Sequence, residues 1–137
     1  MGIVFRGQHI ASISGKSLPY SSYKEIIDAE QYPSVTLTKE KLDGVVTIRN
    51  NAFYRMYNLI AVEIPATVTM IGTNAFAQCS SLQQMTVLAD TPPTLYGNNW
   101  SGVPSDCTIY VPAASVAAYK AADNWSDRAD YIQAIPE

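Results

Sequence analysis

IRNNAFYRMYNLIAVEI at residues 48–64 and IGTNAFAQCSSLQQMTV at residues 71–87 carry one pattern, written twice. Each matched position in the second segment lies at the same interval after its counterpart, as Phe76 does after Phe53. The matched pairs are Ile48/Ile71, Asn51/Asn74, Ala52/Ala75, Phe53/Phe76, Met56/Cys79, Leu59/Leu82, Val62/Met85 and Ile64/Val87. A fixed period in the twenties predicts a solenoid, in which a short unit buries its apolar face by stacking on copies of itself.

The pattern continues more weakly on both sides. A third copy follows at a slightly longer interval, with Asp106 in the place of Leu82, which predicts a solvent-exposed edge. Its matching residues are Leu95, Asn98, Trp100, Val103, Ile109 and Val111. Upstream, SVTLT at residues 34–38 alternates, which predicts a strand with Val35 and Leu37 facing inward. The charged link after it, residues 39–44, predicts an exposed hairpin that bulges outward.

Both ends of the chain lack the repeat. Residues 1–33 predict two short strands, GIVF and HIASIS, and a helix that begins at a capping box of Ser22 and Glu25. We interpret this segment as an N-terminal cap or anchor, because an exposed end of a stack is an apolar surface with unpaired strand edges. Residues 113–137 predict a C-terminal helical cap, with Ser115 as N-cap and one apolar face. That face consists of Val116, Tyr119 and Ala122.

The predicted fold is therefore an α+β repeat solenoid in a single domain, residues 1–137. About three coils, each of roughly 23–24 residues, fill residues 34–112 between the two caps. We expect Phe53, Phe76 and Trp100 to form a continuous column of rings inside it. The recurring asparagines, Asn51, Asn74 and Asn98, are expected to satisfy backbone groups in a turn that repeats at each level.

Composition argues against several classes of partner. The net charge is −3 and charged residues make up 15% of the chain, with no basic stripe. We therefore expect no nucleic-acid partner and no anionic membrane surface. Apolar runs are far shorter than the roughly 20 residues of a membrane span. The N-terminal sequence also lacks the apolar segment of a secretory signal.

Residues that carry catalytic chemistry are scarce, so we predict no enzyme, no cofactor and no metal site. His9 is the only histidine and has no acidic neighbour in sequence, which favours a structural or exposed residue. Cys79 takes the place of Met56 and is interpreted as a core residue. The spacing of Cys79 and Cys107 gives no support for a disulfide, and no CxxC motif is present.

Two further features can be interpreted either as non-functional or as functional. Asp123, Asp127 and Asp130 cluster in sequence, and a small hydrolase with paired carboxylates is the alternative to a hydrated surface. The sequons Asn99-Trp100-Ser101 and Asn124-Trp125-Ser126 are interpreted as chance, because Trp100 has the place of a core residue.

Alternation along the strands predicts the functional surface. Residues between the inward-facing positions point away from the core and form a row on the outer face of the sheet. We predict that this row, which also contains Ala61, binds a partner through Thr36, Glu63, Gln84, Thr86, Thr108 and Tyr110. Tyrosines are favoured at interfaces. Tyr54, Tyr96 and Tyr110 are therefore candidate anchors, or else ordinary half-exposed side chains.

The repeat, with IPATVTM leading into IGTNAFAQCSSLQQMTV, resembles the BspA-like subclass of bacterial leucine-rich repeats over residues 34–112. The ending, from DTPPTL through CTIYVPAASVAAYKAADNWSDRADYIQAI, is similar to closing segments found after such repeats in proteins of gut bacteria and their phages. The resemblance implies a curved solenoid and a role in adhesion, surface display or virion attachment.

Two versions of that role remain. The first is a displayed structural or decoration component of a phage particle or surface assembly, held through residues 1–33. The second is a cell-surface adhesin fragment that binds a host protein or glycan through the outer sheet face. In both versions the expected location is a virion or a bacterial surface.

Overall fold

The computed structural model describes residues 34–136, and the predictions for residues 1–33, including His9, lie outside them. Two parallel sheets face each other across one apolar core. The larger sheet has the order β1-β3-β5-β7-β8 and the smaller one the order β2-β4-β6. The strands are β1 (Val35–Leu37), β2 (Thr47–Ile48), β3 (Leu59–Ile64), β4 (Met70–Ile71), β5 (Gln84–Val87), β6 (Thr94–Leu95), β7 (Thr108–Val111) and β8 (Ile132–Ala134).

The strand register follows the sequence repeat. Ile48 is paired with Ile71 and Ile71 with Leu95 in the smaller sheet, while Met85 is paired with Ile109 in the larger one. These buried side chains alternate with outward-facing ones, so each coil adds one layer to the core. The chain therefore has a repeat fold, with each coil pairing its strands with those of the next coil.

Left-handed backbone recurs at two positions in each coil. Asn51, Asn74 and Asn98 have φ values of 61°, 62° and 66°. Asparagine tolerates this conformation better than most residues, which accounts for its recurrence. A second set, Arg55, Gln78 and Gly102, has φ values of 62°, 63° and 76°. Only the third coil uses glycine there, and the sequence repeat did not point to this second set.

The column of aromatic rings has two members instead of three. Phe53 and Phe76 are stacked, with centroids 5.1 Å apart and planes at 21°. The prediction for Trp100 is wrong: this ring is partly exposed and packs edge-on against Trp125, at 6.0 Å between centroids. The stack still holds its register at this level, because Leu95 and Ile109 continue the two rows of buried strand residues.

The third coil also differs at its solvent edge. Asp106 is exposed, as expected, but the next residue, Cys107, is fully buried and joins the core cluster. The prediction that this edge opens to solvent therefore holds for Asp106 alone and fails at its neighbour. Cys107 supplies the apolar side chain that Leu82 supplies in the preceding coil.

The link after β1 also departs from the prediction. Lys39–Leu42 is a 3₁₀ helix and not a hairpin. Its charged residues are exposed, but Leu42 and Val45 are buried, each with 1% of its surface exposed. The longer link therefore folds back onto the core, because it contains two apolar residues that the core accepts.

The C-terminal segment packs on the third coil. It contains the 3₁₀ helix Ala113–Ser115, helix α1 (Val116–Ala121), the 3₁₀ helix Trp125–Tyr131 and then β8. Ser115 makes no N-cap hydrogen bond and donates instead to the Asp90 carbonyl at 2.6 Å. β8 adds a fifth parallel strand beside β7, which the sequence pattern did not predict.

Candidate functional site

The outer face of the larger sheet presents two rows of side chains, because its strands are paired in register. The first row follows the order Thr36, Ala61, Gln84 and Thr108. The second row follows the order Glu63, Thr86, Tyr110 and Gln133. The six residues predicted for partner binding thus lie on one face, but in two rows instead of one. We call this surface the sheet face.

The residues of the sheet face differ in exposure. Thr36 and Gln84 are exposed, while Glu63, Thr108 and Tyr110 are half-buried. Thr86 is buried, with 9% of its surface accessible. Its place between Glu63 and Tyr110 explains this, since both neighbours are longer side chains on paired strands. Thr86 is therefore less accessible to a partner than the other residues of the sheet face.

The sheet face is almost uncharged. Among the eight residues in its two rows, Glu63 is the one with an ionisable carboxylate. Its carboxylate oxygen accepts a hydrogen bond from the Lys39 backbone N–H at 3.0 Å. That bond ties the 3₁₀ helix after β1 to β3 and leaves the second carboxylate oxygen for a partner. The remaining groups are hydroxyls and amides, which both donate and accept.

β8 enlarges the sheet face beyond the prediction. Gln133 continues the second row beside Tyr110, so five strands contribute instead of four. With strands about 4.8 Å apart, the face spans about 20 Å across the strands. A width of about 20 Å is in keeping with one dimension of a standard interface, which buries about 800 Å² on each partner.

Exposed apolar side chains, which the strand pattern did not predict, lie on the smaller sheet. Val46, Met70 and Tyr96 are 42%, 37% and 45% exposed. They flank or belong to three successive strands, β2, β4 and β6. Tyr96 was a candidate anchor, whereas Val46 and Met70 were not. The signal in the sequence was that alternation along the strands leaves some large apolar residues without a buried position.

The cysteines are structural. Cys79 and Cys107 are free thiols, and both are fully buried. The Cys79 thiol donates a hydrogen bond to the Phe53 carbonyl at 3.2 Å. Burial raises the pKa of Cys79 to about 12 and that of Cys107 to about 11. A thiol that stays protonated in this way is a poor nucleophile.

The acidic cluster lies beside a surface depression. Asp127 and Asp130 line it together with Ser105, Ser126, Arg128 and Tyr131. The Arg128 guanidinium donates to the carbonyls of Pro104, Trp100 and Val103 at 2.8, 3.2 and 3.1 Å, so it fastens the C-terminal segment to the third coil. Within residues 34–136, no three metal-ligating side chains come together.

Asn99 belongs to the core, although it begins a sequon. It is 1% exposed, and its side chain makes three hydrogen bonds. In the second sequon, the side-chain nitrogen of Asn124 donates to the Leu95 carbonyl at 2.6 Å. Both side chains therefore act as internal links in the folded chain.

Comparison with known proteins places this repeat in a family. The family model described as BspA type leucine-rich repeat region, in 6 copies, matches residues 10–97, which is more than half of the 137-residue chain. The match begins inside residues 1–33, where we had expected no repeat. A search of curated proteins finds no match. In the part of the chain that the structure describes, no helix has the length and apolar character to cross a membrane.

Proposed function

This chain belongs to the BspA-type leucine-rich repeat family, and we propose that it is a non-catalytic interaction module built as a short, capped solenoid. A domain of this family indicates a protein-interaction or surface role. The observation that carries the proposal is the sheet face, where paired strands hold polar side chains in two regular rows. A rigid sheet presents such groups without an ordering cost on binding.

The C-terminal segment is proposed as the cap of the solenoid. Its polar side chains hydrogen-bond to backbone carbonyls of the third coil and of the connection that leads into it. Tyr119 bonds to the Ala89 carbonyl at 2.6 Å and Trp125 to the Pro93 carbonyl at 2.8 Å. Ser115, Asn124 and Arg128 bond to further carbonyls. A cap of this kind supplies hydrogen-bond donors to the backbone carbonyls of the last coil, in place of another repeat.

In the first version of the function, the module is a structural or decoration component of a phage particle or surface assembly, and residues 1–33 attach it. The full chain and a chain lacking residues 1–33 are to be compared for co-purification with the particles of the producing culture. Loss of attachment with an unchanged far-UV spectrum supports this version. Equal attachment of both chains argues against it.

The adhesin version rests on the chemistry of the sheet face. Tyr110 lies between Thr86 and Gln133, and Gln84 lies beside Thr108, so an aromatic ring is surrounded by neutral hydrogen-bonding groups. This arrangement suits a host protein or a glycan. The test is binding of the full chain to arrays of glycans and host surface proteins, with Tyr110→Ala and Gln84→Ala as variants. Tyr131→Ala is the control, because this exposed tyrosine lies outside the sheet face.

A non-catalytic role predicts the absence of turnover. Within residues 34–136, two surface depressions are lined by a pair of carboxylates such as a small hydrolase requires: Glu40 and Asp43 at one, and Asp127 and Asp130 at the depression described above. Hydrolysis of a chromogenic glycoside or ester that disappears in Asp127→Asn would refute the proposal. The same assay with Asp106→Asn, an exposed aspartate outside that depression, is the control.

A further inference from the structure

Within residues 34–136, the neutral polar side chains of the sheet face make no hydrogen bonds. These side chains belong to six of the eight residues in its two rows: Thr36, Gln84, Thr86, Thr108, Tyr110 and Gln133. In the C-terminal segment, by contrast, the side chains of Ser115, Tyr119 and Asn124 all donate to backbone carbonyls. The hydroxyls and amides of the sheet face are therefore available to a ligand.

Thr86 forms the floor of a shallow recess in the second row. It is shorter than Glu63 and Tyr110, its neighbours on the two paired strands. With strands about 4.8 Å apart, these two neighbours lie about 10 Å from each other across the recess. One side of the recess is the Glu63 carboxylate, whose second oxygen is not used by the Lys39 N–H, and the other is the half-buried Tyr110 ring. The recess thus combines a hydrogen-bond acceptor, a hydroxyl and an aromatic surface.

The sheet face is too narrow for the footprint of a folded protein. Its two rows are two residues apart along the strands, a distance of about 7 Å. With a width of about 20 Å across the strands and about 10 Å along them, the face measures about 200 Å², against about 800 Å² on each partner of a standard interface. Protein interfaces also have apolar or aromatic centres, whereas Tyr110 and Ala61 are the only such residues in the two rows. A short, linear ligand fits these dimensions better.

Charge and geometry favour a neutral sugar chain as that ligand. The two rows contain no lysine, arginine or histidine, and Glu63 is an acid, so an acidic sugar would be repelled. An extended peptide binds a sheet along an unpaired edge, whereas the strands of this face are already paired. Sugar rings carry hydroxyls that donate and accept, and an apolar side of C–H groups that can cover an aromatic ring. One ring of such a chain is also comparable in length to the spacing between neighbouring strands.

We propose that the sheet face binds a neutral oligosaccharide, laid across β3, β5 and β7 with about one sugar unit on each strand. One unit packs against the Tyr110 ring, and the next lies over Thr86 and bonds to its hydroxyl. A hydroxyl of the third donates to the second carboxylate oxygen of Glu63. The amides of Gln84 and Gln133 bond to hydroxyls at the sides of the chain. This assignment rests on the proposed function, because it requires the sheet face to be the binding surface, and it selects a glycan among the partners named there.

The test uses the ¹⁵N-labelled full chain, titrated separately with maltotriose, cellotriose and triacetylchitotriose and followed by amide chemical shifts. Trigalacturonic acid is the acidic comparison. Tyr110→Ala removes the aromatic ring, and Thr86→Val removes the hydroxyl while keeping a branched side chain. Tyr131→Ala and Thr94→Val are the matched controls, because both residues are exposed and lie outside the sheet face. Unfolding midpoints in urea show whether each variant folds.

We expect at least one neutral trisaccharide to shift the amides of residues 61–63, 84–86, 108–110 and 133. Affinity should fall about tenfold in Tyr110→Ala and about fivefold in Thr86→Val, and stay unchanged in the two controls. Binding of an uncharged ligand should also be insensitive to salt. The proposal is overturned by the absence of shifts with all three neutral sugars, by shifts located elsewhere, or by tighter binding of trigalacturonic acid.

A protein partner gives a different result. If a host surface protein binds the full chain and Tyr110→Ala abolishes this binding, while no trisaccharide shifts the sheet face, the interaction module stands and the glycan assignment falls. If neither sugars nor host surface proteins bind in a way that Tyr110→Ala or Gln84→Ala weakens, the proposed role of the sheet face fails as well.

Discussion

The Phe76 backbone N–H donates to the side-chain oxygen of Asn99 at 2.9 Å, whereas one coil earlier the Phe53 N–H donates to the main-chain oxygen of Ala75 at 2.7 Å. Asn99 occupies the place of Ala75 in the third coil. A side chain has thus replaced a backbone group in the hydrogen bonds between coils. The side-chain nitrogen of Asn99 also donates to the Gly72 and Tyr96 carbonyls, at 2.9 Å each.

Asn99→Ala should be strongly destabilising, although alanine is the residue of the two preceding coils. It leaves the buried Phe76 N–H and the Gly72 carbonyl without this partner, which lowers the free energy of unfolding by about 3 kcal/mol. Urea denaturation measures the loss. Asn98→Gly is the control, because glycine accepts the φ of 66° there and should change stability by about 1 kcal/mol at most. A loss below about 1 kcal/mol for Asn99→Ala would contradict the role of this side chain.

Gly72→Ala should destabilise the chain, whereas Gly97→Ala should not. A Cβ atom at residue 72 would meet the Asn50 side-chain oxygen, the Asn50 nitrogen at 2.5 Å and the Arg49 carbonyl carbon at 2.8 Å. At residue 97 it would meet nothing within 4 Å. We expect a loss of about 3 kcal/mol for the first change, because the clash involves backbone atoms of the preceding coil. Thermal unfolding of the two variants is the measurement, and equal midpoints would contradict the close approach of these coils.

The left-handed asparagines should prefer glycine to alanine as a replacement. Asn74 has a φ of 62°, where alanine is disfavoured by about 1 kcal/mol relative to glycine. Asn74→Ala should therefore unfold at lower urea concentration than Asn74→Gly. The same pair of changes at Thr73 provides the control, since that residue has no positive φ and the order of the two variants should reverse.

Stability should fall at alkaline pH. Burial raises the pKa of Cys79 from 9.0 to about 12 and that of Cys107 to about 11, and the pKa of Tyr119 also rises. Above pH 9 the unfolded state releases thiol protons that the folded state keeps, so folding is favoured less as pH rises. Each thiol should contribute a slope of about 1.4 kcal/mol per pH unit between pH 9 and 11.

Urea titrations from pH 7 to 11 measure this slope. Cys79→Ala should make it shallower while lowering stability at pH 7. An aromatic disulfide reagent at pH 8 should label neither thiol in the native chain and both in urea. Labelling of the native chain at the unfolded rate would show that the thiols are accessible.

Arg128→Lys should loosen the C-terminal segment despite keeping the charge. The guanidinium donates to three carbonyls and lies 5.0 Å from the Trp100 ring centroid, a geometry that one ammonium group cannot reproduce. We expect a loss of about 2 kcal/mol, with faster amide exchange in β8. Lys120→Arg, an exposed change of the same kind, should leave both quantities unaltered. Unchanged amide exchange in β8 for Arg128→Lys would show that this arginine does not hold the C-terminal segment in place.

Much of the stack was predictable because its residues recur. The pairs Ile48/Ile71 and Ile71/Leu95 became strand neighbours, and Phe53 and Phe76 became stacked rings. A periodic pattern reports burial directly, since each coil must present the same apolar positions to the next. The sheet-face residues followed from the same alternation, apart from the burial of Thr86.

The non-repeating end was not predictable in the same way. Trp100 leaves the ring column because Trp125 and Arg128 reach it from the C-terminal segment, which is distant in sequence. β8 joins the sheet although its sequence, IQA, shows no distinctive strand pattern. These placements depend on which backbone carbonyls the third coil leaves unpaired, and local sequence holds no information about that.

The amino-acid sequence alone determined the period of the repeat, the inward positions and the leucine-rich repeat resemblance, because these depend on spacing within one segment. Tertiary structure decided which residues end the stack and which side chains meet across coils. Asn99 illustrates the division. In the sequence it reads as a turn residue or the start of a sequon, and only the packed coils show its side-chain oxygen accepting a hydrogen bond from the Phe76 N–H. Contacts between distant segments are selected by the geometry of the whole core, where every buried polar group must find a partner.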